Sequence, residues 1–244
     1  MKTPVVRIFD STEDIADHFA NILFRAVVSA GTWYKASVAL SGGSTPRAIY
    51  SYLASLKGNL LEWNRIHLFW GDERCVVPES PESNYRMAKE SLLDHINIPE
   101  SNVFRIKGEE EPQYEAERYA ETVSGLLPHE NHIPKFDLVM LGLGEDGHTV
   151  SIFPDNILLF HSDRLFEATE NPYNGQQRIT ATGKLINQAA MVVFIVTGRS
   201  KAGTAASLIE KRGDWKNYPA SLVQPVNGEL LWLLDEEAAS ELGK

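Results

Sequence analysis

Residues 138–141, Leu-Val-Met-Leu, form a short apolar run held between Asp137 and Gly142. A run of this length without polar alternation reads as a strand buried on both faces, and such strands belong to parallel sheets covered by helices. The residues that follow narrow the choice. Glycines at 142, 144 and 147 come next, and Asp146 and His148 flank the last of them. Glycine lets the backbone turn sharply and come close to a ligand, and loops past the carboxyl ends of strands are where open α/β sheets bind ligands. A carboxylate and an imidazole in that loop form a candidate acid–base pair. The plainer alternative makes them turn residues, and the rest of the chain has to decide between the two.

The same unit recurs along the chain. Val5 to Phe9 reads as a first strand, and Ser11 caps a helix whose Ile15, Phe19, Ile22, Leu23 and Ala26 share a face and which stops near Gly31. Ser37 to Leu40 is a second strand, followed by a helix beginning near Pro46. Ile66 to Trp70 is a third, leading into a loop, Gly71-Asp72-Glu73-Arg74. Helices are expected from Asn84 to His95 and around Tyr114, Tyr119 and Val123. Residues 155–177 are less regular, with room for antiparallel elements. Met191 to Val196 is another buried strand, Gly198 to Ile209 its helix, and Glu229 to Leu234 the last strand.

Alternation of this kind predicts an α/β fold, an open, doubly wound, mostly parallel sheet with helices on both faces. No linker or repeat divides the chain, so residues 1–244 are expected to form a single domain. The formal net charge of −10 and the lack of basic runs argue against nucleic acid. Cys75 is the only cysteine, which fits a reducing compartment. With neither a signal pattern nor an apolar stretch of membrane-spanning length, the expectation is a cytoplasmic protein without membrane contact. A small molecule is the expected partner, the protein itself being a monomer or weak homo-oligomer.

A second segment carries chemistry. Ser41-Gly42-Gly43-Ser44-Thr45-Pro46 joins a strand to a helix with proline in its first turn. Free amides at that helix start, with the Ser44 and Thr45 hydroxyls, suit an anion such as phosphate. An ordinary cap needs only one such residue. Arg74 and Lys201 follow other strands at the same sheet edge, where a bidentate guanidinium and a compact ammonium would meet that anion.

Other chemistries fit poorly. Gly142, Gly144 and Gly147 match a dinucleotide fingerprint, but Glu145 and Asp146 would repel a pyrophosphate and Pro154 interrupts the following helix. Gly198 to Gly203 resembles a nucleotide-binding P-loop only superficially, because its last glycine is followed by Thr204 where a P-loop has lysine. There is no nucleophile elbow, and His129 and His132 lack zinc-helix spacing. No metal and no cofactor are expected.

Several segments then occur in a recognisable order: Ser41 to Pro46, Gly71 to Arg74 with Val77-Pro78 and Ser83-Asn84, Gly142 to Thr149 with Ser151 to Pro154, Thr197 to Ala202, and Tyr218 to Ser221. Together they resemble the 6-phosphogluconolactonase family over nearly the whole chain. A more distant likeness is to glucosamine-6-phosphate deaminases, which typically have Asp-Glu-Tyr where this chain has Asp72-Glu73-Arg74 and Phe-Asn-Glu-Pro where it has Ser151 to Pro154. A non-catalytic sugar-phosphate sensor is a third reading, disfavoured by Asp146 and His148. One departure from the lactonase pattern is Gly175-Gln176-Gln177 before Arg178, where prolines are usual.

The resemblance implies hydrolysis of 6-phospho-D-glucono-1,5-lactone without a metal. It makes His148 the base that activates water, with Asp146 orienting the imidazole or holding the water. It adds Asp72, Asn84 and Arg178 to Gly42, Gly43, Ser44, Thr45, Arg74 and Lys201 as substrate-binding residues. The glycine turn at Gly142 and Gly144 would supply amides to the oxyanion.

Overall fold

The computed structural model describes residues 4–31, 34–56 and 61–243. In chain order the elements are β1 (Val5–Phe9), α1 (Thr12–Ser29), β2 (Ala36–Leu40), α2 (Ser44–Ser55), β3 (Ile66–Trp70), β4 (Asp72–Arg74), α3 (Asn84–Ser91) and α4 (Pro112–Leu126). They continue with β5 (His129–Glu130), β6 (Ile133–Pro134), β7 (Leu138–Leu141), β8 (Phe166–Glu170), β9 (Gln177–Ala181), α5 (Gly183–Ile186), β10 (Met191–Val196), α6 (Ala202–Glu210) and β11 (Glu229–Asp235).

Six strands make a parallel sheet in the order β1-β11-β10-β7-β2-β3. Every residue of β2 and β7 is buried, which is why β7 reads as an unbroken apolar run and β2 as one broken only by Ser37, whose hydroxyl donates to Asp137 Oδ2 at 2.8 Å. β1 lies at an edge, with Val5 and Ile8 about half exposed. The connections from β1 to β2 and from β2 to β3 run towards one edge, and those from β7 to β10 and β11 towards the other. Right-handed crossovers then put α1 and α2 on one face, where they pack together, and α6 on the opposite face. The sheet is therefore wound both ways from the boundary between β2 and β7.

Local chemistry explains the ends of several elements. Ser11 Oγ accepts from the Asp14 amide at 3.1 Å and caps α1. The helix expected over 84–95 ends at Ser91, because Leu92 leaves helical geometry at φ −136°, and a 3₁₀ turn covers Leu93–His95. The helix expected from Gly198 opens instead with a 3₁₀ turn at Arg199–Lys201 before α6.

The larger correction concerns Asp72 to Arg74. These residues form a strand, not a loop. β4 pairs antiparallel with β9, and β9 with β8, in a second three-stranded sheet. The irregular stretch before β8 contains a 3₁₀ segment, Pro154–His161. Gly71 joins the two sheets. Its amide donates to the Leu40 carbonyl at 2.9 Å and its carbonyl accepts from the Ala181 amide at 2.7 Å.

Candidate active site

β2 and β7 are neighbours whose onward connections diverge, so a crevice opens at their carboxyl ends. It holds a cleft of about 210 Å³, smaller than the roughly 300–1,000 Å³ of drug-sized sites and suited to one small polar molecule.

One wall is the turn from β2 into α2. Gly43 occupies φ +106°, a conformation side chains disfavour, and no side chain caps α2. The amides of Ser44 and Thr45 therefore begin the helix without intrahelical partners and border the cleft. Thr45 Oγ1 lies 2.5 Å from Thr197 Oγ1, tying α2 to the end of β10. Gly42 packs against Asn84, whose Nδ2 donates to the Asp72 carbonyl at 3.0 Å.

The second sheet supplies guanidinium groups. Arg74 in β4 is the direct partner of Arg178 in β9, and both line the cleft. Each has a buried Nε with no hydrogen-bond partner among the described residues. Burial, followed by the charge of Arg74, lowers the Arg178 pKa, while Asp72, Glu73 and Glu82 act in the opposite sense. Arg74 Nη1 is held by the Glu82 carbonyl at 2.5 Å. From the third side, Lys201 Nζ donates to the Leu143 carbonyl; burial lowers its pKa against the pull of Glu145 and Asp146.

Acidic groups brace this wall. Asp72 Oδ2 accepts from Ser151 Oγ at 2.6 Å. The buried Glu73 carboxylate accepts from the amides of Arg74, Asn84 and Tyr85 and from Ser83 Oγ at 2.7–3.0 Å, so it seats the start of α3. Burial raises its pKa against those four donors.

The turn after β7 carries the imidazole. His148 Nδ1 lies 2.6 Å from Asp146 Oδ1, which also accepts the His148 amide at 3.1 Å. His148 lines the cleft, whereas Asp146 stands behind it; of its two expected roles, that position fits orientation of the imidazole. Gly144 differs from expectation in one respect. Its amide is committed to the His148 carbonyl at 2.9 Å, and a Cβ there would stand 2.0 Å from His148 Nδ1, so it provides room for the ring. The amides of Gly142 and Leu143, residues that line the cleft, have no hydrogen-bond partner among the described residues. Gly147, at φ +78°, presses on the Tyr218 ring.

Val150 adopts φ +48°, an outlier for a β-branched side chain, and lines the cleft. It is held there by the reciprocal bonds of Thr149 and Ile152 and by the grip of Ser151 on Asp72.

All the expected binding residues thus line one cleft: Gly42, Gly43, Ser44 and Thr45 on one wall, Asp72, Arg74, Asn84 and Arg178 on another, and Gly142, Gly144 and Lys201 with His148 on the third. Thr197 and Leu143 join them at the cleft, and the buried Ser151 supports Asp72; none of the three was assigned a role from sequence, although all lie in segments already singled out. Tyr173, whose hydroxyl reaches Asp146 Oδ2 at 2.5 Å, had no such signal. Among the described residues no group of three His, Cys, Asp or Glu side chains is placed to hold a metal ion, and no helix is long and apolar enough to cross a membrane.

Comparison with known proteins gives a consistent result. Residues 10–232 match the family described as glucosamine-6-phosphate isomerases/6-phosphogluconolactonase. A protein of Synechocystis sp. named 6-phosphogluconolactonase is 43% identical over 208 residues, 84% of each chain. One of Nostoc sp. with the same name is 39% identical over 246 residues, 99% of each chain. The structure of 6-phosphogluconolactonase from Trypanosoma brucei superposes with a TM-score of 0.86 at 29% identity, covering 100% of both chains.

Proposed function

Because the chain belongs to the glucosamine-6-phosphate isomerase/6-phosphogluconolactonase family, we propose that it hydrolyses 6-phospho-D-glucono-1,5-lactone to 6-phospho-D-gluconate, a step of the oxidative pentose phosphate pathway. One observation carries this reading. His148 is anchored through Nδ1 on Asp146 and borders the same cleft as the glycine-led start of α2 and the Arg74–Arg178 pair. A base and an anion cradle therefore share one small site.

An imidazole held by a carboxylate at one nitrogen acts as a base at the other. In the proposed reaction His148 Nε2 takes a proton from water as the water oxygen attacks lactone C1. The carbonyl electron pair moves onto its oxygen, where the amides of Gly142 and Leu143 stabilise the charge. Collapse of this intermediate breaks the bond from C1 to the ring oxygen, and His148 returns the proton to that oxygen. The carboxylic acid product then ionises and releases a proton. The substrate's phosphate binds the Ser44 and Thr45 amides, with Arg178, Arg74 and Lys201 supplying charge and Gly42 and Gly43 allowing close approach. Asp72 and Asn84 hold sugar hydroxyls. No metal enters this scheme.

Phe153 packs against the imidazole at 4.7 Å between centroids, at a position where the deaminase pattern has an acid. That supports the lactonase reading over aminosugar isomerisation. The test is proton release on adding freshly generated 6-phosphogluconolactone, corrected for spontaneous opening, beside ammonia release from glucosamine 6-phosphate. Catalysed proton release with no ammonia is expected. Ammonia release without lactone opening would overturn the reading.

A further inference from the structure

The turn between β8 and β9 reaches back over the acid–base pair. It is a well-braced turn. The Asn171 amide donates to the Gln176 carbonyl at 2.9 Å, the Gly175 amide to the Asn171 carbonyl at 2.9 Å, and the Tyr173 amide to Asn171 Oδ1 at 2.9 Å. Gly175 takes φ +71° to close it. Tyr173 at its tip is 66% exposed, yet its hydroxyl is not left to water: it donates to Asp146 Oδ2 at 2.5 Å. Among the described residues no other recorded donor reaches that oxygen. The Tyr173 ring meets Phe153 edge-on, with centroids 5.9 Å apart, and Phe153 in turn lies against His148.

We propose that Tyr173 is a positioning residue for His148. By occupying Asp146 Oδ2, its hydroxyl fixes the rotation of the carboxylate, keeps Oδ1 on His148 Nδ1–H and leaves Nε2 unprotonated toward the cleft. This rests on the assignment of His148 as the base. A carboxylate that can rotate gives its imidazole a choice of tautomer, and only one tautomer has its lone pair toward the substrate. The bond to Asp146 pushes the phenol pKa up to about 12, so it remains a donor at any working pH. The other charges around the pair are Glu145 in the same turn, Asp155 facing Tyr173, and Lys201 across the turn. None of these replaces the phenol at Oδ2.

Tyr173→Phe keeps the ring and removes only the donor, at an exposed position where folding does not depend on it. For the phosphorylated lactone, kcat should fall about tenfold, the usual weight of a hydrogen bond to a charged group, while KM stays at the parent value. The acid limb of kcat/KM should move to higher pH, because an Asp146 charge no longer shared with the phenol holds the imidazolium proton more tightly. Independently of activity, the ¹⁵N signals of the His148 ring should report one tautomer, protonated at Nδ1, in the parent and a mixture in Tyr173→Phe. Tyr173→Leu should behave like Tyr173→Phe in both the limb and the tautomer. A Phe variant with parent rate, limb and ring signals would overturn the proposal, as would a Leu variant impaired where the Phe variant is not, since ring packing would then be the cause. If the parent does not open the lactone, the functional reading fails, and the ring signals still decide the role of Tyr173.

Discussion

Gly42 and Asn84 occupy one space between them: a methyl group on Gly42 would stand 1.9 Å from Asn84 Oδ1 and 2.4 Å from its carboxamide carbon. The end of β2 and the start of α3 are thus fitted together at the mouth of the cleft. The Asn84 side chain has little freedom to retreat, because its amide group is bound to Asp72 and its backbone amide to Glu73 at 2.7 Å.

Gly42→Ala is therefore expected to displace Asn84 from the cleft at a cost of about 1–3 kcal/mol, typical of a methyl forced into a packed site. The fold should persist and KM for the phosphorylated lactone should rise about tenfold, the lower half of that cost expressed in binding. Steady-state kinetics with a thermal melt would check this. An unchanged KM would remove Asn84 from the binding wall.

Glu73→Gln should destabilise the protein by about 2–3 kcal/mol in urea unfolding, because buried donors then face an NH₂ group in place of an acceptor. The carboxylate serves four donors with both oxygens, and a carboxamide offers one. A loss below about 0.5 kcal/mol, the range of ordinary surface substitutions, would show that the start of α3 does not depend on this group.

Arg178→Ala and Lys201→Ala should each raise KM for the phosphorylated lactone about 10–100-fold with a smaller effect on kcat, as expected for a charged contact remote from the reacting bond. Unphosphorylated gluconolactone should be a poor substrate of the parent and lose little further in the variants. Equal losses for both lactones would place these cations away from the phosphate.

His148→Asn should fold normally and lose kcat by about 10²–10⁴-fold, the usual contribution of a positioned acid–base group. The parent's activity should fall toward acid pH, and the variant should lack that limb. Near-parent turnover with the acid limb intact would transfer the role of base to another group.

Burial pushes the Asp146 pKa up, but the Tyr173 hydroxyl, the His148 amide and the imidazole outweigh it and leave it below its ordinary value. The folded chain binds that proton less tightly than the unfolded chain does. Ionised Asp146 therefore favours the fold above the ordinary carboxylate value of about 3.9, and this contribution is lost as pH falls through the lower, folded-state value. Asp146→Asn should melt below the parent at neutral pH and approach it below about pH 4. A gap in melting temperature that does not change with pH would assign the loss to packing.

The central strands could be read from sequence because burial leaves apolar runs in β7 and β10 and, apart from Ser37, in β2. β4 could not. Its Asp72, Glu73 and Arg74 have the composition of a loop, and only the pairing with β9, more than a hundred residues on, makes them a strand. The uncapped start of α2 and the Asp146–His148 pair were legible because glycines mark where backbone must come close. The direction of an amide is another matter: nothing in the spacing of Gly142 and Gly144 shows that the second amide is spent on the His148 carbonyl. Tyr173 was invisible for a similar reason, since its tie to Asp146 depends on how a hairpin folds over a distant turn.

The pairing of Arg74 with Arg178 has a consequence for the whole molecule. Like charges directly opposite on neighbouring strands repel, while Asp72, Glu73 and Glu82 act in the opposite sense. An oxyanion lying between the two guanidinium groups would remove the repulsion, and a ligand that binds only the folded chain adds RT ln(1 + [L]/Kd) to its stability. The melting temperature then becomes a gauge of how full the cleft is. At equal ionic strength, phosphate or sulfate should protect the protein more than chloride, which cannot bridge two planar donors. The buffer anion would in that sense be a component of the folded state.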